Sequence, residues 1–381
     1  MKIKHQPKSK YKFTFAPPWR GVDLSLLLIV IALASLGVLL VYNASLVEAN
    51  SKFGDPWHFA KQQLLWLGIS TGAMFVTMSL PLEWWKRNAK LFLWITVFLL
   101  AVVLLGSKTL GAKRWLSVAG FNLQPSELAK ISLSAYLAKL SFNGTTSIKN
   151  YFITAGLVLI LMILQPDMDT MIVLAASVGI IYWLSGAPTK HLVYLIGVGI
   201  LGGLGLIFSS SYRMDRLTSL LNVTGDTQDT SYHAWQVLIA LGSGGLFGTG
   251  LGQSRQKYGF LPEVAGDSIF AIIAEELGFI GGAILVLALL YVILRSLRAA
   301  GRAEDKFAQL FGAGLTTWLA VQILVNIFSI VGLIPLSGIT LPFISYGGSS
   351  LLITMATMGI ILKISKNEDN SVSGRKNWKR S

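Results

Sequence analysis

The sequence predicts an all-α integral membrane protein of ten transmembrane helices, with one large extracytoplasmic loop between helices seven and eight. Three observations predict it. Apolar residues make up 53% of the chain before its 38 glycines are counted, and charged residues only 13%. A soluble domain sits near 45–50% apolar with glycine included and about 25% charged, so an ordinary soluble enzyme is excluded. The apolar residues also gather in runs of about 16–27, the length that crosses a bilayer as a helix. Cysteine is absent, which excludes disulfides, thiolate metal sites and cysteine nucleophiles. The four histidines are scattered, which argues against a histidine metal centre.

In chain order the spans are 22–43, 63–80, 91–107, 126–141, 151–165, 170–187, 191–209, 268–294, 307–331 and 342–362. The first is too long for a cleaved leader, and Asn43-Ala44-Ser45-Leu46 is a poor cleavage site. The fourth is the weakest, because Glu127, Lys130 and Lys139 interrupt it. The fifth ends at Gln165-Pro166, and Asp169 is expected to cap the sixth. The tenth opens on Leu341-Pro342-Phe343-Ile344-Ser345-Tyr346-Gly347-Gly348, which implies an irregular turn lining a cavity.

An even number of spans puts both ends on one side. The net charge of +14 decides which side, because most of the 32 lysines and arginines fall in the two tails and the even-numbered turns. By the positive-inside rule that face is cytoplasmic. The basicity follows from topology, and nucleic acid is not an expected partner. The expected organisation is a basic N-terminal tail over 1–21, a ten-helix domain over 22–362 and a basic C-terminal tail over 363–381. Both tails are expected to be disordered and at most to touch anionic lipid. The opposite face holds the long loop, about 210–267, so sites acting outside the cytoplasm are expected there and in the shorter loops beside it.

Ionisable residues at membrane depth are costly and are functional candidates by default. Glu127 and Lys130, three apart on one helical face, form either a self-neutralising pair or a pair lining an outward cavity. Asp267 is either a helix cap or a carboxylate held at the membrane boundary among apolar groups, where a raised pKa suits a general base. Gly242-Ser243-Gly244-Gly245, with Gly248, Gly250 and Gly252, matches no phosphate-loop spacing. It reads as a loop whose backbone approaches ligand or membrane closely. Arg213, Arg216, Arg255 and Lys257 put four cations in the outer loop, against the positive-inside bias. They either bind an anion such as phosphate or pair with Asp215, Asp226, Asp229 and Glu263. Gln322 and Asn326 give the ninth span a polar face.

The ordered motifs carry a family resemblance over nearly the whole chain. They are Gly111-Ala112-Lys113-Arg114-Trp115-Leu116, Gln124-Pro125-Ser126-Glu127-Leu128-Ala129-Lys130, Gln165-Pro166-Asp167 and Tyr212-Arg213 with Arg216. Ala240–Gly245, Gln256-Lys257, Leu261-Pro262-Glu263 before Asp267, Glu275-Glu276-Leu277-Gly278 and Leu341–Ser350 complete the set. The chain resembles the SEDS family (shape, elongation, division and sporulation), and is more similar to its division branch, FtsW, than to its elongation branch, RodA. The resemblance implies a peptidoglycan glycosyltransferase that polymerises lipid II in the bacterial cytoplasmic membrane, at the division septum, with Asp267 catalytic. It implies substrate-binding candidates Lys113, Arg114, Trp115, Glu127, Lys130, Arg213, Arg216, Ser243, Lys257, Glu263, Ser345 and Tyr346. Its partners would be lipid II and the growing glycan strand, a class B penicillin-binding protein, other divisome proteins and membrane lipid. The sequence establishes no cofactor; a divalent cation, Mg²⁺ or Mn²⁺, is the one candidate. A lipid II flippase and a non-catalytic divisome scaffold are the competing classes. Four places depart from the family pattern. Val264-Ala265-Gly266 replaces a small-His-Thr run, Ser268 a phenylalanine, Asp169 a glycine, and Tyr232-His233 a Tyr-Gln pair.

Overall fold

The computed structural model describes residues 21–106, 114–118, 121–142, 148–209, 211–221 and 230–378. Each of the ten apolar stretches coincides with a helix. They are α1 (Leu24–Phe53), α2 (His58–Ser79), α3 (Leu82–Leu105), α4 (Pro125–Phe142), α5 (Ile148–Leu164), α6 (Met168–Leu184), α7 (Thr189–Phe208), α10 (Ile269–Arg302), α11 (Lys306–Ile330) and α12 (Gly348–Trp378). Between α7 and α10 lie two further helices, α8 (Ser211–Leu221) and α9 (Thr230–Gly244), which the long-loop expectation did not include. A small antiparallel hairpin precedes α4: β1 (Leu116–Val118) pairs with β2 (Phe121–Leu123), Leu116 opposite Leu123. The expected all-α class is thus qualified by two three-residue strands.

Among the described residues, six helices are long and apolar enough to cross a membrane: α1, α3, α7, α10, α11 and the Gly348–Lys366 part of α12. The chain is an integral membrane helical protein. α7 buries none of its residues, and Val193, Tyr194, Ile196, Val198 and Leu201 all face outward. An apolar helix exposed all round is what lipid solvates and water does not. α11 and α12 lie at the other extreme, most of their apolar stretch being covered by protein. α12 packs along α2, where the Thr77 hydroxyl donates to the Ala356 carbonyl at 2.8 Å. α6 meets α11 through Ser177, whose hydroxyl donates to the Gly314 carbonyl at 3.0 Å.

Helix ends are set locally. Asp23 caps α1 by accepting from the Leu26 amide, and its other oxygen pairs with Arg295 of α10 at 2.5 Å. Asp167 caps α6, accepting from the Thr170 amide. This corrects the expectation for Asp169, which lies inside the first turn and points elsewhere. α12 starts at Gly348 and not at 342, because Pro342 has no amide proton to give and Phe343 adopts a left-handed backbone (φ 69°). It also runs as helix to Trp378, past the point where a disordered tail was expected.

α10 is broken inside, at Gly278 (φ 68°, ψ −172°). The break leaves backbone groups without helical partners, and the turn after α9 supplies them. The Thr249 and Gly250 amides donate to the Glu275 and Glu276 carbonyls, both at 3.0 Å. In return the Phe279 and Ile280 amides donate to the Gly245 and Leu246 carbonyls at 2.9 and 3.2 Å. Such mutual satisfaction is what irregular backbone at a membrane requires. The two chains must touch for this, and a Cβ on Gly248 (φ 83°) would stand 2.1 Å from the Glu276 carbonyl oxygen. The glycine-rich stretch therefore approaches protein backbone, and not ligand or membrane as expected.

Gly248→Ala introduces both a clash with backbone and a left-handed alanine. It is expected to destabilise the protein by about 2–3 kcal/mol or more. Gly242→Ala, in α9 with open space around its Cβ, is expected to be neutral or stabilising by up to about 1 kcal/mol. Thermal unfolding in detergent, followed by retention of the monodisperse peak, separates the two.

Candidate active site at the start of helix α10

Asp267 precedes α10 but does not cap it; Ser268 holds the cap position, and no side chain there caps the helix. The Asp267 carboxyl is therefore not consumed by helix punctuation. Its backbone carbonyl accepts from Asn326 of α11 at 3.0 Å, and the same amide group donates to the Ile339 carbonyl at 2.8 Å. One turn earlier, Gln322 donates to the Thr340 carbonyl at 2.9 Å. The polar face of α11 thus fixes two things at once: the loop carrying Asp267 and the irregular segment before α12.

That segment is tied down along its length. Ser345 accepts from the Leu341 amide at 2.8 Å through its hydroxyl, and its carbonyl accepts from Gln63 of α2 at 3.2 Å. The Tyr346 amide donates to the Ala265 carbonyl at 2.8 Å, and its phenol donates to Gln62. Glu263 closes the other side. In a left-handed conformation (φ 49°), its carbonyl accepts from the Gly266 amide at 3.0 Å. Glu263, a non-glycine residue in strained backbone, lies in the same loop as the Asp267 carboxyl, and such strain tends to collect at functional sites.

The electrostatics around Asp267 oppose its ionisation. Burial among apolar groups is the larger cause and the Glu263 carboxylate the second, and together they push its pKa up to about 7. The Arg216 guanidinium and a bond from the Ser268 hydroxyl act in the other direction. Arg216 itself is held by the Leu336 carbonyl at 3.0 Å and lies 3.8 Å from the Asp169 carboxylate. Asp169 also accepts from the Gly338 amide at 3.1 Å, and Gly338 borders the Asp267 carboxyl. Asp169, expected as a cap, instead braces the arginine beside Asp267. Its replacement of a glycine was the signal that could have found it.

The other candidates divide. Arg114 donates to the Gln165 carbonyl at 3.2 Å and to the Pro166 carbonyl, which puts the hairpin beside the turn entering α6. Trp115 is about one-third exposed at the edge of that hairpin. Lys113 lies outside the described residues, and Arg213 lies on α8, where only its backbone is described. Glu127 and Lys130 are buried and paired at 2.6 Å; Lys130 also donates to Gln322 at 2.7 Å and lies over the Trp318 ring. They form the internal pair, and not an outward-facing one. Lys257 is buried against Glu276 at 3.0 Å, with Asn43 and the Gly252 carbonyl as further acceptors. None of the acids expected to pair with it is among these partners. Ser243 bonds only the Ala240 carbonyl within its own helix. Among the described residues no three carboxylate or imidazole side chains converge on one point.

Residues 24–370 match the profile of the FtsW/RodA/SpoVE family, described as cell cycle protein. The chain is 40% identical over 354 residues to stage V sporulation protein E of Bacillus subtilis (strain 168), covering 90% of this chain and 97% of that one. It is 37% identical over 359 residues to a probable peptidoglycan glycosyltransferase FtsW of Trichlorobacter lovleyi, covering 90% and 93%. Among solved structures, the rod shape determining protein RodA of Thermus thermophilus superposes with a TM-score of 0.69 at 26% identity, over 92% of this chain and 99% of that one. A chain from a peptidoglycan synthase complex coordinating polymerization and crosslinking gives a TM-score of 0.75, also at 26% identity and over the same shares of the two chains. By the extent of that match, and by the motifs that converge around Asp267, the chain belongs to the FtsW/RodA/SpoVE family, the SEDS family its sequence resembles.

Proposed function

We propose that this chain is a peptidoglycan glycosyltransferase that polymerises lipid II into glycan strands at the division septum, with Asp267 as its general base. The observation that carries the reading is a carboxyl not used as a cap, half-buried, on a backbone held by α11, with its pKa pushed up to about 7. The family membership and the relatives named peptidoglycan glycosyltransferase support the same chemistry.

The acceptor C4 hydroxyl of one lipid-linked disaccharide attacks the anomeric carbon of the growing strand. Asp267 takes the hydroxyl proton as the bond forms, because an alcohol is a poor nucleophile until deprotonated. Polyprenyl pyrophosphate leaves from the opposite face, so the α linkage becomes β, and one positioned carboxylate suffices for one inverting displacement. Charge developing on the pyrophosphate is stabilised by cations at the rim, with Arg216 nearest the base and Arg114, Lys113 and Arg213 as further candidates. Trp115 offers an exposed ring to a sugar face. A divalent ion, Mg²⁺ or Mn²⁺, is the alternative source of positive charge at the pyrophosphate. Glu127, Lys130, Ser243, Lys257, Ser345 and Tyr346 serve by holding the frame. Glu263 acts through its charge on Asp267.

The proposed topology has ten crossings, with both termini in the cytoplasm and α8, α9 and the Asp267 loop outside, in the bacterial inner membrane. From Arg295 to the break at Gly278, α10 climbs about 25 Å, most of the hydrocarbon thickness. That supports an outer position for everything above the break. The proposed partner is a class B penicillin-binding protein, and the likeness to a chain from a synthase complex supports it. A second reading keeps the chemistry and moves it to spore wall synthesis; the 40% identity to a stage V sporulation protein favours it.

Purified protein with lipid II, assayed with and without its transpeptidase partner, is expected to yield glycan strands. Asp267→Asn should lower the rate by at least about 100-fold. Strands of wild-type yield from the variant would remove Asp267 from the mechanism.

The pH dependence has a fixed sign. Only the ionised carboxyl acts as base, so the rate should rise with pH through about 7. Below that it should fall by about tenfold per unit. Because the folded pKa lies above the unfolded one, the fold favours the protonated acid. Its contribution to stability is therefore present below the unfolded value of 3.8 and lost as pH rises towards about 7. Asp267→Asn should abolish that loss, which unfolding measured across pH would register.

A further inference from the structure

Two residues that depart from the family pattern, 35 positions apart, meet beside the proposed base. The His233 Nε2 of α9 lies 2.8 Å from the Ser268 hydroxyl. That hydroxyl in turn donates to Oδ1 of Asp267 at 3.4 Å. A hydroxyl has one proton. When Asp267 is ionised that proton is directed to Oδ1, so His233 must supply the N–H of the other bond. Ser268 is fully buried, so solvent does not stand in for the imidazole. Burial, with Arg216 second, pushes the His233 pKa down to about 4. The ring is neutral at working pH and donates as a neutral tautomer.

We infer that His233 is a positioning residue: acting through Ser268, it aims a hydrogen-bond donor at Asp267 and sets the pH at which that carboxyl ionises. The inference rests on Asp267 being the base. Bonds to an ionised acceptor are about twice as strong as neutral ones, so the chain favours the carboxylate. It works with Arg216 of α8 and against Glu263 of the same loop. Asp169 of α6 faces Arg216 and tempers it, while α11 presents the neutral Asn326. The segment 331–347 contains no charged residue; its one phenol, Tyr346, donates to Gln62. Among these described groups His233 and Ser268 are the neutral pair linked by hydrogen bonds to the carboxyl oxygen.

The test is the titration of the Asp267 carboxyl by pH-difference infrared spectroscopy, its C=O band identified by its loss in Asp267→Asn. His233→Phe removes the donor and is expected to move the midpoint up by roughly one pH unit. Ser268→Ala, the fallback should His233→Phe not fold, is expected to move it similarly. The double variant should move it no further than either single one, as for residues acting in one chain. His233→Gln, whose amide can donate, should return the midpoint towards wild type. A His233→Phe midpoint equal to wild type overturns the inference, even where Ser268→Ala shifts it, and so does an unmoved midpoint in Ser268→Ala. The rate–pH curve on lipid II, with the partner present, should shift by the same amount; a uniform loss at every pH with an unmoved limb would also overturn it. If Asp267→Asn still polymerises lipid II while the carboxyl titration shifts as expected, the base assignment fails and the hydrogen-bonded chain stands.

Discussion

A helix that breaks must have its bared backbone groups satisfied by protein, and this constraint shapes the half of the molecule around Asp267. α10 breaks at Gly278, and the turn after α9 fills the gap with two donors and two acceptors. The exchange needs backbone against backbone, which excludes side chains at Gly248 and Gly278. Beside it, Glu275 and Glu276 receive the Arg255 and Ser254 amides together with Lys257, so the chain beyond the turn is fastened by buried charge. The upper part of α10 is thereby held, and Asp267 is delivered to a fixed point above it.

The second constraint is a polar spine from α4 through α11. The Glu127–Lys130 pair adds little net stability by itself, since removing two charges from solvent costs about what their attraction returns. Its value is directional. Lys130 holds the Gln322 oxygen, which turns the amide nitrogen of Gln322 towards Thr340. Asn326, four residues on, does the same for Ile339 and Asp267. Losing Lys130 would leave Glu127 a buried unpaired charge and would free the amide that orients the segment before α12. The pair thus orients the segment before α12 through Gln322, while Asn326 on the same helical face fixes the backbone at Asp267.

The helices were legible because their signal is local: apolar runs of membrane length, ended by proline, glycine or charge. The breaks were not. Gly278 sits inside a run of helix-spanning length, just after Glu275-Glu276, and only the turn at 245–250, distant in sequence, reveals why a glycine is needed there. α8 and α9 were hidden for a related reason, since a loop rich in charge and glycine carries no strong period. At the site, Asp267 was legible as an acid at a span boundary, but its freedom from capping was not, because cap geometry is decided by one residue's backbone. Asp169 was misread as a cap because spacing cannot tell which of two aspartates, Asp167 or Asp169, turns towards the helix. Lys257 read as an anion binder because its partners, Asn43 and Glu276, come from other elements.

In the proposed mechanism one carboxylate is enough because of the balance set around it. Burial and Glu263 raise its pKa, while Arg216 and the Ser268 hydroxyl lower it, and the outcome lies near neutrality. A carboxylate with an ordinary pKa would be ionised but too weak a base for a sugar hydroxyl. One raised much further would be protonated and idle at physiological pH. In the proposed mechanism the guanidinium that lowers the pKa also serves the pyrophosphate, so binding the donor would pair Arg216 with a second anion and weaken its pull on Asp267. The base would then strengthen as the leaving group arrives. Asp169, bonded to both Arg216 and Gly338, limits how far that arginine can move while it serves two anions.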